Sequence, residues 1–381
     1  MTSLKAQKPL LKSALPTGAV TSDMEKAISE LLRKTLGNNC DVAIEGLAPI
    51  PGGFSRETFS CTALVTQGNT KEVLPLIIRK DPPEEVCILQ TSRANEHELI
   101  ESLRANTTVP VSRSYGYELD PSVFGSAAMV LERADGNGKT SQLFNGGPDA
   151  DQAEEVMRHL CEVLVELHQA DISVIDPRGI LQDPREVGIR TSSWDEYMDS
   201  TFEYYLSTYD DIVYDPSSII LLDAYLTLRR RKPRPLRLSV VHGDFNPANF
   251  LYKNGRVSAL IDWENSRIGD PREDLGWMTT MDILSNSHVM DYPKKEGGFI
   301  SYYNKLTGWN VTKEEVDYFT LFGSANIGVP VQSAIYRRIA GEHRQFMHLY
   351  LIQSSAPAIP SMAQLLGYPG SNSSETTGVS S

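Results

Sequence analysis

Apolar positions change period twice along this chain. Met24, Ile28, Leu31, Leu32 and Leu36 recur at helical spacing behind Ser22-x-x-Glu25, a capping-box signature, and Gly37 marks the stop. Beyond it the pattern shortens to strand-like runs: Val42–Ile50, Thr58–Val65 and Val73–Arg79, then Tyr115–Leu119 and Ala127–Glu132. Together they predict a five-stranded antiparallel sheet, interrupted by one helix over Ala94–Leu103 whose apolar face is Leu99, Ile100 and Leu103. The second half turns helical. Val156, Leu160, Leu164 and Leu167 stripe a helix between Asp151 and Ala170, and a loop rich in Pro, Gly and Asp follows over 171–192. Helical patterns then fill 274–307 and 313 to about 366, with Pro330 expected to break the last of them. Within this helical half stands one exception: Phe250–Tyr252 and Val257–Ile261 flank Asn254-Gly255, whose tolerance of positive φ predicts a tight hairpin.

Length supports two lobes, because 381 residues exceed the roughly 250–300 at which a single core stops growing. A formal charge of −13 argues against nucleic acid as a partner. Cys40, Cys61, Cys87 and Cys161 are widely spaced with no C-x-x-C pair, so neither a disulfide framework nor a zinc site is indicated, and a reducing cytoplasm is the expected compartment. No run of about 18 apolar residues exists to cross a membrane, and the N-terminus lacks an apolar signal-peptide core. Residues 193–228 interleave aromatics such as Trp194, Tyr197, Tyr204 and Tyr205 with acids such as Asp195, Glu196 and Asp199. Such a stretch is either an acidic aromatic wall suited to a cationic or hydroxylated ligand, or a set of amphipathic helices with a solvated acidic face. The basic run from Arg229 to Arg237 reads as a solvated linker, or as a surface for a phosphorylated acceptor such as an acyl-CoA or for a phosphoprotein.

The hairpin gathers the chemistry. His242-Gly243-Asp244 precedes it, Asn249 opens its first strand, and Asp262 follows its second. An aspartate and an asparagine carbonyl are hard oxygen donors, so Asp262 and Asn249 suit Mg²⁺ while leaving positions for phosphate and water. Asp244 precedes Asn249 by the D-x-x-x-x-N spacing of a kinase catalytic loop, in which the aspartate accepts the hydroxyl proton of the acceptor.

With H-G-D-x-x-x-x-N, I-D-W-E at 261–264, G-D-P at 269–271 and Asp274-Leu275, the chain resembles the aminoglycoside phosphotransferase superfamily. It is similar above all to the phosphotransferase domain of acyl-CoA dehydrogenase-fused proteins and its stand-alone bacterial relatives. The resemblance implies an α+β, protein-kinase-like two-lobed fold with a five-stranded antiparallel N-lobe and a mostly helical C-lobe. The expected organisation is a flexible lead-in at 1–20, an N-lobe at 21–134, a C-lobe at 135–369 and a disordered tail at 370–381. By the same resemblance Arg79 takes the phosphate-binding lysine position, with Lys80 as fallback, and Glu96 orients that cation. Gly52, Gly53 and Ser55, in the turn between the first two strands, are expected to cover the phosphates. Buried carboxylates of the G-D-P-x-x-D-L segment are expected to brace the catalytic loop. The implied activity is transfer of the γ-phosphoryl group of ATP, with Mg²⁺, to a hydroxyl of a small metabolite. A hydroxyacyl-CoA acceptor follows from the nearest subfamily, an antibiotic acceptor from the wider superfamily. The reading from a different class is a catalytically idle nucleotide-binding scaffold.

Overall fold

A computed structural model describes residues 18–37, 39–50, 56–82, 91–207, 216–339 and 358–369. Strands β1 (Asp41–Pro49), β2 (Glu57–Gln67) and β3 (Thr70–Lys80) run as an antiparallel meander, and β5 (Ala128–Glu132) separates β3 from β4 (Ser114–Glu118), giving the order β1-β2-β3-β5-β4. The expected five-stranded antiparallel sheet is present, and the whole is α+β. Alternation along β3 divides its side chains. Leu74, Leu76 and Ile78 enter a core made with helix α1 (Gly18–Leu36) through Met24, Ile28, Leu31 and Leu32. Ile77 faces the other way, towards a second core. There helix α2 (Arg93–Asn106) contributes Leu99, Ile100 and Leu103, the sheet contributes Met129 and Leu131, and the helical lobe contributes Leu160, Phe250, Leu260 and Trp263. One apolar cluster therefore joins the lobes and fixes the open end of β3 above the hairpin.

After β4 comes a short helix, α3 (Pro121–Phe124), and after β5 the linker is pinned where Asn137 exchanges backbone hydrogen bonds with Tyr252, at 2.8 and 3.0 Å. The helical lobe comprises α4 (Ala153–Gln169), α5 (Ile172–Ile175), α6 (Trp194–Ser207), α7 (Pro216–Arg230), α8 (Arg272–Ser285), α9 (Phe299–Thr307), α10 (Lys313–Ile339) and α11 (Ala358–Leu366). Two ribbons are set into it: β6 (Ser239–Val241) pairs with β9 (Arg267–Gly269), and β7 (Phe250–Lys253) with β8 (Arg256–Leu260). None of the described helices is long and apolar enough to cross a membrane.

Several sequence expectations needed correction. Helix α1 starts at Gly18, upstream of the capping-box position, since nothing in Gly18–Thr21 forbids helix. The helical pattern over 274–307 is two helices, divided where Asn286 adopts a left-handed cap at φ 50° and Pro293, Gly297 and Gly298 follow. Helix α10 runs through Pro330 without stopping: a proline removes one intrahelical bond, and here packing of α10 against α7, α8 and α11 outweighs that loss. The basic run is partly tied down, with Lys232 at 2.8 Å from Asp199 and Arg234 at 2.8 Å from Glu315. The lead-in up to residue 17 and the tail from 370 lie outside the described residues.

Candidate active site

Strand β6 delivers His242, Gly243 and Asp244 to the mouth between the lobes. Gly243 has φ +77°, and a Cβ there would stand 2.2 Å from the carbonyl oxygen of Asn265, so the tight passage of this loop requires glycine. The loop is braced from beneath. Asp274 of α8, wholly buried, accepts the backbone N–H groups of His242 (2.8 Å) and Gly243 (2.9 Å), and His168 Nε2 lies 3.0 Å from the same carboxylate with Tyr303 Oη 2.8 Å from its other nitrogen. Burial pushes the Asp274 pKa up, but the His168 bond and charge and the His242 amide more than offset this and hold it below the carboxylate norm. His242 is buried, which drives its pKa down and keeps it neutral; its Nε2 donates to Ile261 O (3.0 Å) and its Nδ1 accepts the Asp244 amide (3.3 Å). Both nitrogens are spent on the backbone, so this histidine shapes the loop.

The hairpin forms as expected, with Asn254 and Gly255 both at positive φ, 52° and 74°. Asn249 O accepts Ile261 N at 3.0 Å, which holds the start of β7 beside the end of β8. Asp262 follows in the left-handed region at φ 69° and ψ 59°. Asp244 Oδ2 accepts Asn249 Nδ2 at 2.8 Å, while its Oδ1 accepts Asn246 Nδ2 at 2.6 Å and Trp277 Nε1 at 2.7 Å. Burial, with the nearby Asp262 charge, nevertheless pushes the Asp244 carboxyl up to about 7. Asp262 goes the other way. Burial raises it, but Arg79, whose Nη2 donates to Asp262 Oδ1 at 2.7 Å, more than offsets that and holds the carboxyl below its ordinary value.

Arg79 lies on the cleft face of β3. Besides Asp262 it reaches Glu264 at 3.1 Å and Glu96 at 3.4 Å. Lys80, next along the strand, points to the α1 face, where it pairs with Glu57 at 3.1 Å beside Phe59. The structure thus brings Asp244, Asn249, Asp262, Arg79 and Glu96 together and leaves Lys80 out. Gly52, Gly53 and Ser55 lie outside the described residues. As to a divalent ion, the donor chemistry fits: Asn249 spends its Nδ2 on Asp244, leaving the amide oxygen, and Asp262 adds a carboxylate. Among the described residues no group of three or more His, Cys, Asp or Glu is placed to hold a metal, so the remaining ligands of a hard cation would be phosphate and water.

Sequence reasoning missed three further participants. Arg93 pairs with Glu96 at helical i,i+3 spacing, and donates to Asp81 at 2.8 Å and Glu264 at 3.1 Å. Arg56 hydrogen-bonds Glu264, Asp81 and Thr91. One oxygen of Glu264 therefore meets three guanidiniums, from Arg56, Arg79 and Arg93. The third is Trp277, the indole donor to Asp244. The signals were present for the arginines, as Arg93 three residues before Glu96 and Arg56 directly after the Gly-Gly turn; Trp277 carried none beyond its helix.

Beside Asp244 opens a cavity of about 290 Å³, bordered by α6, α8, α10 and the loop before α6. The acids of α6 do not enter it: Asp195, Glu196 and Glu203 are exposed, and Asp199 pairs with Lys232. What α6 presents is Tyr197, Thr201, Tyr204 and Tyr205. The solvated acidic face, not the acidic wall, is what the helix carries.

Fold and site together define a protein-kinase-like phosphotransferase architecture. The family model described as the phosphotransferase enzyme family, APH, matches residues 46–296, about two thirds of the chain, and this chain belongs to that family. It is similar to the probable acyl-CoA dehydrogenase IBR3 of Arabidopsis thaliana, 28% identical over 59% of this chain and 26% of that protein. It is similar also to acyl-CoA dehydrogenase family member 10 of Mus musculus, 25% identical over 76% of this chain and 27% of that one. The chain thus spans about a quarter of the length of these curated relatives. Among solved structures, a candidate aminoglycoside phosphotransferase from Ralstonia eutropha superposes with a TM-score of 0.62 at 19% identity, covering 90% of this chain and 97% of that one. A thermostable mutant of aminoglycoside phosphotransferase APH(4)-Ia, in ternary complex with ADP and hygromycin B, gives 0.55 at 14% identity over 88% and 98%. These likenesses establish the fold.

Proposed function

We propose that this protein is an ATP-dependent phosphotransferase that moves the γ-phosphoryl group to a hydroxyl of a small molecule. One observation carries the reading: Asp244 bonds Asn249 at 2.8 Å and feels the charge of Asp262, which in turn holds Arg79 at 2.7 Å, all beside an open cavity. Nucleotide and acceptor in the same cleft are supported by the ADP and hygromycin B of the fold relative.

In this reading Asn249 and Asp262 would hold Mg²⁺, which would supply charge neutralisation to the phosphates. Arg79 contacts the phosphates, exchanging part of its hold on Asp262 and Glu264 for them, while Glu96 and Arg93 keep it aimed. Asp244 accepts the hydroxyl proton as the acceptor oxygen bonds to Pγ and the bond from Pγ to the bridging oxygen breaks, releasing ADP. A carboxyl near pH 7 in affinity suits that task, being ionised often enough to orient the hydroxyl and basic enough to take its proton. In this reading the N-lobe takes in α1 from Gly18 and ends near residue 134, the C-lobe follows from 135 to 369, and the setting is the reducing cytoplasm. A polycationic antibiotic is the less suitable acceptor, because the acids of α6 face solvent.

The test separates binding from turnover. Asp262→Ala should abolish Mg-ATP binding by calorimetry, whereas Asp244→Asn should retain it and lose at least about a hundredfold in turnover with a competent acceptor. Normal Mg-ATP binding by Asp262→Ala would overturn the metal assignment.

A further inference from the structure

The loop between α5 and α6 is built to present one cation to the cavity. Asp183 accepts three backbone N–H groups, from Val187 (3.1 Å), Gly188 (2.7 Å) and Ile189 (3.1 Å), so its charge is absorbed within the loop it closes. Arg185, inside that loop, borders the cavity, and its Nη2 donates to the neutral Asn265 Oδ1 at 2.8 Å. Among the described residues no carboxylate pairs with it. The other charged groups of the wall are matched: Arg267 with Glu273, Glu96 and Glu264 with Arg79 and Arg93, Asp274 with His168. Asp244, like Asp183, is a carboxylate of the wall held by neutral donors alone. Asn265 joins the two ends of the wall, since its carbonyl also accepts Arg267 at 3.0 Å and lies against Gly243.

We propose that this cavity takes a hydroxyl compound whose other end is an anionic oxygen group, a carboxylate or a phosphate ester, and that Arg185 is the residue that reads the anion. A guanidinium with one N–H fixed on Asn265 keeps its other donors for such a group. Leu99, Val187, Ile189, Phe322 and Ile327 line the same cavity and suit a hydrocarbon segment. Naming the cavity as the acceptor site rests on the phosphotransferase reading; the anion preference is read from binding alone, so the two can fail separately.

The experiment measures binding of four probes of matched chain length to the full-length protein saturated with Mg²⁺ and a non-hydrolysable ATP analogue. The probes are ω-hydroxyhexanoate, its primary amide, the corresponding hydroxyalkyl phosphate and the corresponding amino alcohol, followed by ligand-observed NMR titration. At least one anion should bind about tenfold tighter than the amide, the acid and phosphate arms telling the two anion sources apart. Arg185→Gln should erase that preference, Arg185→Lys should restore part of it, and Arg190→Gln, which removes an exposed arginine paired with Glu203 outside the cavity, should keep it. Equal binding of anions and amide, tighter binding of the amino alcohol, or an anion preference that survives Arg185→Gln would each overturn the proposal. Loss of the phosphotransferase reading would show instead as wild-type protein that does not bind the nucleotide analogue.

Discussion

Asp244 receives hydrogen bonds from Asn246, Asn249 and Trp277, each of which lowers its pKa, and still sits near 7 because burial and Asp262 outweigh all three. That imbalance makes it a stability liability. An aspartate in the unfolded chain ionises near ~3.9, so between roughly pH 4 and 7 the unfolded state releases a proton that the folded state retains, and the fold loses stability as pH rises through that window. Asparagine carries no such titration, although its N–H₂ must face one of the donors. In EDTA and without nucleotide, Asp244→Asn should be more stable than wild type by about 1–3 kcal/mol above pH 7, with the gap closing below about pH 4. A gap independent of pH in urea melts would show that the carboxyl is not held up by burial.

Helix α8 serves two neighbours at once. Its Asp274 braces the His242–Asp244 loop and its Trp277 holds Asp244, yet the opposite side meets α10 so closely that a Cβ on Gly276 would stand 2.3 Å from the Phe319 carbonyl carbon. Backbone cannot yield as a side-chain tip can. Gly276→Ala should therefore force the helices apart, costing about 1–3 kcal/mol, and carry Trp277 away from Asp244. The expected signature is a lower melting temperature together with a fall in kcat larger than any change in ATP affinity. Unchanged kcat with lowered stability would mean that Trp277 does not depend on the α8–α10 contact.

The lobes are joined by charge as well as by the shared apolar core. Glu264, from the helical lobe, holds Arg56, Arg79 and Arg93 of the sheet lobe, with the Arg93 side chain 0% and that of Glu264 7% exposed. Removing one partner from such a group strands the others in a site they entered only as pairs. Glu264→Gln should cost about 3–5 kcal/mol in chemical denaturation. Glu57→Gln, which breaks the Lys80 pair where Glu57 is 66% exposed, should cost less than about 1 kcal/mol. Similar losses for the two variants would refute a buried inter-lobe pin.

The linear pattern was sufficient for the strands, most helices and the hairpin, because each depends on neighbours within a few residues: period-two burial in β3, the Asn254-Gly255 turn, the stripe of α4. It also grouped Asp244, Asn249 and Asp262 in one short stretch, the turn bringing Asp262 back beside Asn249. It could not decide between Arg79 and Lys80, since only pairing register and the position of α1 determine which face of β3 looks into the cleft. Nor could it gather Arg56, Arg93 and Trp277 at the site, or turn the acids of α6 outward, or leave Arg185 without a carboxylate among the described residues. Those outcomes depend on contacts between residues up to 208 positions apart, and charge pairing in a folded interior follows from which elements pack together. Local chemistry set Asp244, Asn249 and Asp262 around one short hairpin; tertiary packing selected their partners.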